Sequence, residues 1–303
     1  MADLSKAIRI EPAFDDPESV LEIFRRHAPY RTMAGYLPIK SMGESCQPWF
    51  RGNWADKGEP LVTGVEKILH NRRFIEAART FLGGEAVRPT LLVVNVNTPM
   101  PAGPIHVDVP SFRGVTRDHY PLALMVAMGQ SKLFEDWRVI QAGALTWFYD
   151  GVAGNFDYWP EGPEGPMSTE GPPFRNSALM ADNDRMYHRI GRVGAPDAQL
   201  PRITSSAEIR PLDHGAWEIV ENRETRATYP AEAVRLSLLW KGIRESEARA
   251  ESLTLDRIMS IFIADLRELR VDFQIPSDPL ADREWLALLD RTYYKPIDKI
   301  DHS

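Results

Sequence analysis

A chain of 303 residues with 43% apolar side chains, 26% charged ones and every large aromatic can bury a substantial core, which excludes wholesale disorder. Its 36 basic and 43 acidic residues leave a formal net charge of −7, so it has no basic field of the kind that docks phosphate backbones or anionic bilayers; nucleic-acid and membrane partners are not expected. The single cysteine, Cys46, can form neither an intramolecular disulfide nor a thiolate cage, no signal-type N-terminus or long apolar run is present, and a cytoplasmic setting is expected.

At about 150 residues per domain the length allows two units. One elaborated domain over 1–303 is the simpler reading, with a helical part at 1–89, a β-barrel core at 90–241 and C-terminal helices at 242–303. Asp16 and Pro17 can open a first helix running to His27, with Val20, Leu21 and Phe24 on one face. Residues 30–54 read as irregular and aromatic. A second helical pattern spans 64–81 and ends at Gly83-Gly84, its Lys67, Arg72 and Arg73 forming a solvated face.

From Thr90 the pattern changes to β-branched and aliphatic. TLLVVNVNTP and IHVDVP read as two strands separated by the turn-rich MPAGP. A helix is expected within 120–137, weakened by Gly129. ALTWFYDG (144–151) and NFDYWP (155–160) read as a hairpin turning at Gly151 and Gly154. Residues 161–173, EGPEGPMSTEGPP, carry no apolar period and read as a surface loop or lid. Strand patterns return at 177–181 and 185–190, joined by an Asp182-Asn183-Asp184 turn, and again at 207–211, 216–220 and 233–240. Helices follow at 253–271 and 282–290. The lack of strand–helix alternation argues for a mainly β barrel or sandwich with flanking helices, and against a doubly wound sheet.

In IHVDVP, His106 and Asp108 are two residues apart, so on a strand both point to one face. His188, 80 residues beyond Asp108, can bring a second imidazole from another strand. Two histidines and a carboxylate on one triangular face leave three adjacent positions open on an iron(II) ion. His214, in the turn-like PLDHGAW, is the runner-up; His27, His70, His119 and His302 read as capping or solvated. Cys46 reads as an inert thiol. In AVRLSLLW, Arg235 and Ser237 share a face, and a guanidinium beside a hydroxyl suits a carboxylate. The plainer alternative for Arg235 is an edge-strand ion pair with Glu232.

PIHVDVPSFRG, LMADNDRMYHRIG and VRLSLLW together resemble the iron(II)/2-oxoglutarate-dependent oxygenase superfamily over roughly residues 90–240. The resemblance implies a double-stranded β-helix, a jelly-roll, cupin-like core buttressed by N- and C-terminal helices. It implies that His106, Asp108 and His188 bind Fe(II), that Arg235 and Ser237 hold the distal carboxylate of the co-substrate 2-oxoglutarate, and that O2 is consumed. The reaction implied is oxidation of a small molecule with release of succinate and CO2. Hydroxylation is its default outcome, and a carboxylate at Asp108 disfavours halogenation. The spacing departs from the family, whose arginine stands closer to the last histidine. Arg235 is 47 residues beyond His188, so Arg202, 14 residues beyond it, is kept as the alternative clamp, with Arg192 and Arg210 behind it.

Asn95, Arg113, Trp147 and Tyr149 are candidate substrate contacts, with core packing or solvation as the plainer role of each. The aromatic run CQPWFRGNW (46–54) and the 161–173 loop are candidates to cover the barrel mouth. Two other readings stay open: a cupin-like metalloenzyme that does not use 2-oxoglutarate, and a non-catalytic β-barrel binding protein. Nothing in the pattern identifies the substrate or an oligomeric state.

Overall fold

The computed structural model describes residues 7–36 and 45–294; His302 lies outside them. The chain opens with β1 (Ile8–Ile10) and α1 (Pro17–Arg26). Asp16 caps α1 by accepting the Ser19 amide at 3.1 Å, Pro17 sits in the first turn where no amide donor is needed, and Val20, Ile23 and Phe24 form the buried face. The stretch read as irregular carries β2 (Tyr30–Thr32), the short α2 (Met33–Tyr36) and β3 (Trp49–Asp56). The run 46–54 is therefore largely a sheet strand and not a cover. After β4 (Glu59–Pro60), the single helix expected over 64–81 is two, α3 (Glu66–Leu69) and α4 (Arg72–Phe81). Asn71 divides them: its side chain accepts the Arg73 amide at 2.8 Å and so caps α4 in place of continuing α3.

Beyond these lie β5 (Val87–Asn97), β6 (Ser111–Phe112), α5 (Leu122–Ser131), β7 (Arg138–Val139), β8 (Ala142–Tyr149), β9 (Phe156–Trp159) and β10 (Ser168–Glu170). Then come β11 (Phe174–Ala181), β12 (Tyr187–Ile190), β13 (Glu208–Pro211), β14 (Trp217–Glu221), β15 (Glu224–Tyr229), β16 (Arg235–Arg244), α6 (Leu255–Glu268) and α7 (Arg283–Tyr293). No helix among the described residues is long and apolar enough to cross a membrane.

The strands form a large antiparallel sheet in the order β1-β11-β8-β16-β5-β3-β2-β13-β14-β15, with β4 beside β3, and a smaller sheet β10-β9-β12. Strands from the supposedly helical first third thus extend the barrel sheet. The chain switches between sheets at the turns expected to make hairpins. β8 and β9 do not pair with each other, nor do β11 and β12; each pair spans the two sheets. The 161–173 segment is less free than expected, because its β10 part pairs with β9. Trp147 and Phe174 of the large sheet meet Phe156 of the small one, with Trp147–Phe156 and Trp147–Phe174 ring centroids 5.4 and 4.9 Å apart. Two facing sheets with strands that alternate between them make a double-stranded β-helix.

The other face of the large sheet packs on the N-terminal helices. Leu236, Leu238 and Trp240 of β16 share a core with Phe24 of α1 and Phe74 of α4, and the Trp240 indole donates to the Leu69 carbonyl at 2.7 Å. A third core joins α5, α6 and α7, where the Phe134 and Phe262 rings meet in a tilted contact at 4.9 Å beside the segment that follows Asp108. Full burial of each such aromatic is worth about 1.5–3 kcal/mol. Phe74 is fully buried against Phe14 and Trp240, so Phe74→Ala should lower unfolding free energy by about 3–5 kcal/mol in urea denaturation. On the exposed face of the same helix, Arg72→Ala should stay within about 0.5 kcal/mol.

Candidate metal centre

The segment 104–110 is not the strand that its alternation suggests. Pro104 and Pro110 cannot donate to a ladder, and only His106 pairs, through a single antiparallel bridge to His188 on β12. That bridge is complete: the His106 amide donates to the His188 carbonyl at 3.0 Å, and the His188 amide donates back at 2.9 Å. The Asp108 amide donates to the Asn183 carbonyl at 2.8 Å. These three backbone bonds bring the side chains together, and one donor atom each from His106, Asp108 and His188 lies within 4.8 Å of the others.

Both imidazoles are oriented in the same way. Nδ1 of His106 lies 2.9 Å from the Pro104 carbonyl, and Nδ1 of His188 lies 2.9 Å from the Met186 carbonyl. A carbonyl can only accept, so each Nδ1 carries the proton and each Nε2 keeps its lone pair. His188 is buried, which pushes its pKa down to about 4 despite the opposing pull of Asp108, so it is neutral at pH 7 and able to bind a cation. Its Nε2 is 3.8 Å from Oδ1 of Asp108.

Oδ2 of Asp108 faces a side chain that the sequence reading did not single out. Lys241 on β16 places Nζ 2.9 Å from this oxygen and 2.7 Å from Oδ1 of Asp184. Burial alone would push the Asp108 carboxyl up, but Lys241, His188 and His106 outweigh it and hold it below the usual range. The same two carboxylates hold Lys241 above its ordinary value against burial. Asp184 belongs to the 182–184 turn, all three residues of which are buried. Lys241 was legible in principle, since it follows Arg235 by six residues and so falls on the same face of the strand.

Arg235 and Ser237 also point into the barrel and are buried. Arg235 Nε donates to the Gly154 carbonyl at 2.8 Å and its guanidinium lies 5.7 Å from the Phe174 ring, but Nη1 and Nη2 have no hydrogen-bond partner among the described residues. Gly154 adopts φ +81° in the turn that crosses between the sheets; a Cβ there would stand 2.8 Å from the Tyr149 ring and 3.3 Å from Arg235 Cδ. Burial lowers the Arg235 pKa to about 9, so the group remains charged at neutral pH. Arg202, Arg192 and Arg210 are exposed.

Of the candidate substrate contacts, Asn95 lies on the inner face and its Oδ1 accepts the Trp49 indole at 2.9 Å. Trp147 packs between Phe156 and Phe174, and the Tyr149 hydroxyl donates to the Val152 carbonyl at 2.8 Å. Arg113 is not brought to the trio: it is bound to Glu247 at 3.1 Å and to the carbonyls of Glu251 and Asp136. The backbone of His214 lies in a short 3₁₀ turn before β14. A cavity of about 560 Å³ opens beside His106 and Asp108, walled by Val126 and Gln130 of α5 and by Arg138, Arg185 and Tyr187. Gly129 lets α5 approach this closely, since a Cβ there would fall 2.6 Å from Pro110 Cγ.

No family model and no curated protein matches this chain. Among solved structures, it is similar to an oxidoreductase of the 2OG-Fe(II) oxygenase family from Burkholderia pseudomallei, at 12% identity and a TM-score of 0.43 over 81% of this chain and 88% of that one. It is also similar to a Pseudomonas putida prolyl-4-hydroxylase, at 9% identity and a TM-score of 0.40 over 78% and 91%. HygX from Streptomyces hygroscopicus, with nickel, 2-oxoglutarate and hygromycin B bound, gives 10% identity and a TM-score of 0.43 over 80% and 84%.

The buried turn below the trio has a pH signature of its own. Burial and the neighbouring Asp184 carboxylate push Asp182 up to about 7, against the pull of Arg138 and Arg185. Its pKa is higher folded than unfolded, so the stability it contributes in acid is lost as pH rises from about 4 to about 7. Asp182→Asn retains an oxygen for the Asp184 amide, 3.2 Å away, and removes that loss. Its unfolding free energy should gain on wild type across this range, by on the order of 2–4 kcal/mol at pH 8. Urea denaturation at pH 4.5 and pH 8 measures the difference, and a gap that does not widen with pH would refute the assignment.

Proposed function

We propose that this protein is an iron(II)- and 2-oxoglutarate-dependent oxygenase that hydroxylates or otherwise oxidises an unactivated C–H bond of a small molecule, with succinate and CO2 as co-products. His106, Asp108 and His188 would hold the ferrous ion, and Arg235 with Ser237 the distal carboxylate of 2-oxoglutarate. The observation that carries the reading is Arg235, fully buried and still charged, with both terminal nitrogens unpartnered among the described residues inside the barrel that holds the trio. A buried guanidinium without an anion is costly, and a carboxylate that accepts both nitrogens offsets that cost with a bidentate, charge-assisted pair.

The donor set fits the ion. Two imidazole nitrogens with lone pairs directed by their backbone contacts and one ionised carboxylate are the ligands of a ferrous site with open positions. When bound, iron would activate dioxygen and couple decarboxylation of the keto acid to substrate oxidation. The chain's own contribution is positioning and exclusion of water. Trp147, Phe156 and Phe174 wall the Arg235 end of the barrel, whereas the cavity beside His106 has a volume suited to a small molecule.

Anaerobic addition of Fe(II) and 2-oxoglutarate should give a weak visible charge-transfer band that His106→Ala abolishes. Arg235→Gln removes an uncompensated charge, so it should retain Fe(II) binding and thermal stability while weakening 2-oxoglutarate binding about 30-fold or more. Titration of the band and of succinate release would check this. An unchanged 2-oxoglutarate requirement in Arg235→Gln would remove Arg235 as the clamp, and a wild type that binds Fe(II) but gives neither the band nor succinate would instead favour a metalloenzyme that does not use the keto acid.

A further inference from the structure

We infer that Lys241 is a positioning residue for the metal centre: by holding Oδ2 of Asp108 it leaves Oδ1 alone to face the two histidines, so that the carboxylate acts as a one-oxygen donor. The inference rests on the metal reading above and names a residue that neither the motif nor the alternation identified. An aspartate free to rotate can offer one oxygen or both to a cation. If both bind, one of the positions that the two-histidine, one-carboxylate set leaves open is consumed.

The geometry opposes that second mode. The Lys241 ammonium lies 2.9 Å from Oδ2 of Asp108, and the other oxygen, Oδ1, is the one 3.8 Å from His188 Nε2. The ammonium is itself anchored. It lies 2.7 Å from Oδ1 of Asp184, whose Oδ2 accepts Gln141 Nε2 at 2.9 Å, and Gln141 Nε2 also reaches Ser111 Oγ at 2.8 Å. The backbone of Asp184 is fixed too, its amide donating to Asp182 and its carbonyl accepting Arg138 Nη2. Asp184 therefore cannot follow the lysine if the lysine moves, and Lys241 cannot release Asp108 without leaving a carboxylate unpaired in the interior.

Stability alone does not account for a lysine here. A well-packed apolar side chain in place of a buried ion pair is often neutral or stabilising, provided no charge is stranded. What an apolar residue cannot supply is a fixed donor on one chosen oxygen of Asp108. In networks of this kind, loss of the partner that orients a ligand commonly weakens metal binding about 10–100-fold.

The test uses cobalt(II), which reads coordination through its visible d–d absorption, on the full-length wild type, Asp184→Asn, and the double variant Lys241→Met/Asp184→Asn. The double variant removes one cation and one anion and so keeps the net charge of the cluster; Asp184→Asn keeps the lysine but loosens its anchor. Folding is checked by circular dichroism and thermal melting. The expected result is a folded double variant that binds cobalt(II) about 10–100-fold more weakly in a competition titration, with a changed d–d spectrum, and a smaller change of the same kind in Asp184→Asn. Wild-type cobalt affinity and spectrum in the folded double variant would overturn the inference and leave the proposed function standing. Loss of folding in both variants would also overturn it, by making Lys241 a structural residue. A wild type that takes up no cobalt or iron would overturn the proposed function, and this inference with it.

Discussion

Two cations on one face of β16 set the terms for everything inside the barrel. Arg235 and Lys241 are both buried on the central strand between β5 and β8, where neither side of the ladder offers water. Burial acts on them in the same direction, yet their outcomes differ. Lys241 has two carboxylates within 3 Å and is held in its charged form, whereas Arg235 has, among the described residues, one carbonyl, an aromatic face and two unanswered nitrogens, and is pushed down to about 9. One charge is therefore neutralised within the chain and organises the protein's own carboxylates. Under the proposed function the other would be answered by the anionic co-substrate, which core packing alone does not supply.

The trio depends on the same separation of tasks between elements. The large sheet supplies the buried cations, the small sheet supplies His188, and a segment belonging to neither supplies His106 and Asp108. An extended segment with one bridge has little to hold it. Here it is secured by the reciprocal amides of His106 and His188, by the Asn183 carbonyl on the Asp108 amide, and by α5, which approaches Pro110 because residue 129 has no side chain. The 182–184 turn serves both sides, as its carbonyl steadies Asp108 and its last carboxylate anchors Lys241.

What could be read before the structure follows from which forces act locally. The aliphatic cores of β5, β8 and β16 were legible because strands buried on both faces give continuous apolar runs, and α1 because Asp16 and Pro17 announce its start. That His106, Asp108 and His188 meet was legible from their residue types and the two-residue step between the first pair, whereas Arg235 stood out only through its neighbour Ser237, its distance from His188 departing from the family's spacing. Strand pairing was not. A glycine-containing turn between two apolar runs looks the same whether the chain folds back within one sheet or crosses to another, which is how β8–β9 and β11–β12 were read as hairpins. β15 was invisible because it is a largely exposed edge strand, ETRATY, with no apolar alternation to report it. Lys241 was hidden because the apolar run that marks its strand ends at Trp240, and Asp184 because a run of Asp, Asn and Asp carries the composition of a surface turn even where its partners draw it inside.

The shape of the interior also fixes the direction from which a substrate must come under the proposed function. The Arg235 end is closed by Trp147, Tyr149, Phe156 and Phe174, so whatever binds there is enclosed. The opposite side of the trio faces the cavity between α5 and the 182–187 segment. The cations of that wall are not idle: Arg138 is 3.0 Å from one oxygen of Glu135 and Arg185 is 2.6 Å from the other. The two arginines share the single Glu135 carboxylate and Lys132 also lines the cavity, so this wall keeps positive charge of its own beside its apolar surface. Under the proposed function the keto acid would be held at the Arg235 end and the substrate would reach the ion from this cavity, so each would meet the trio through a different set of side chains.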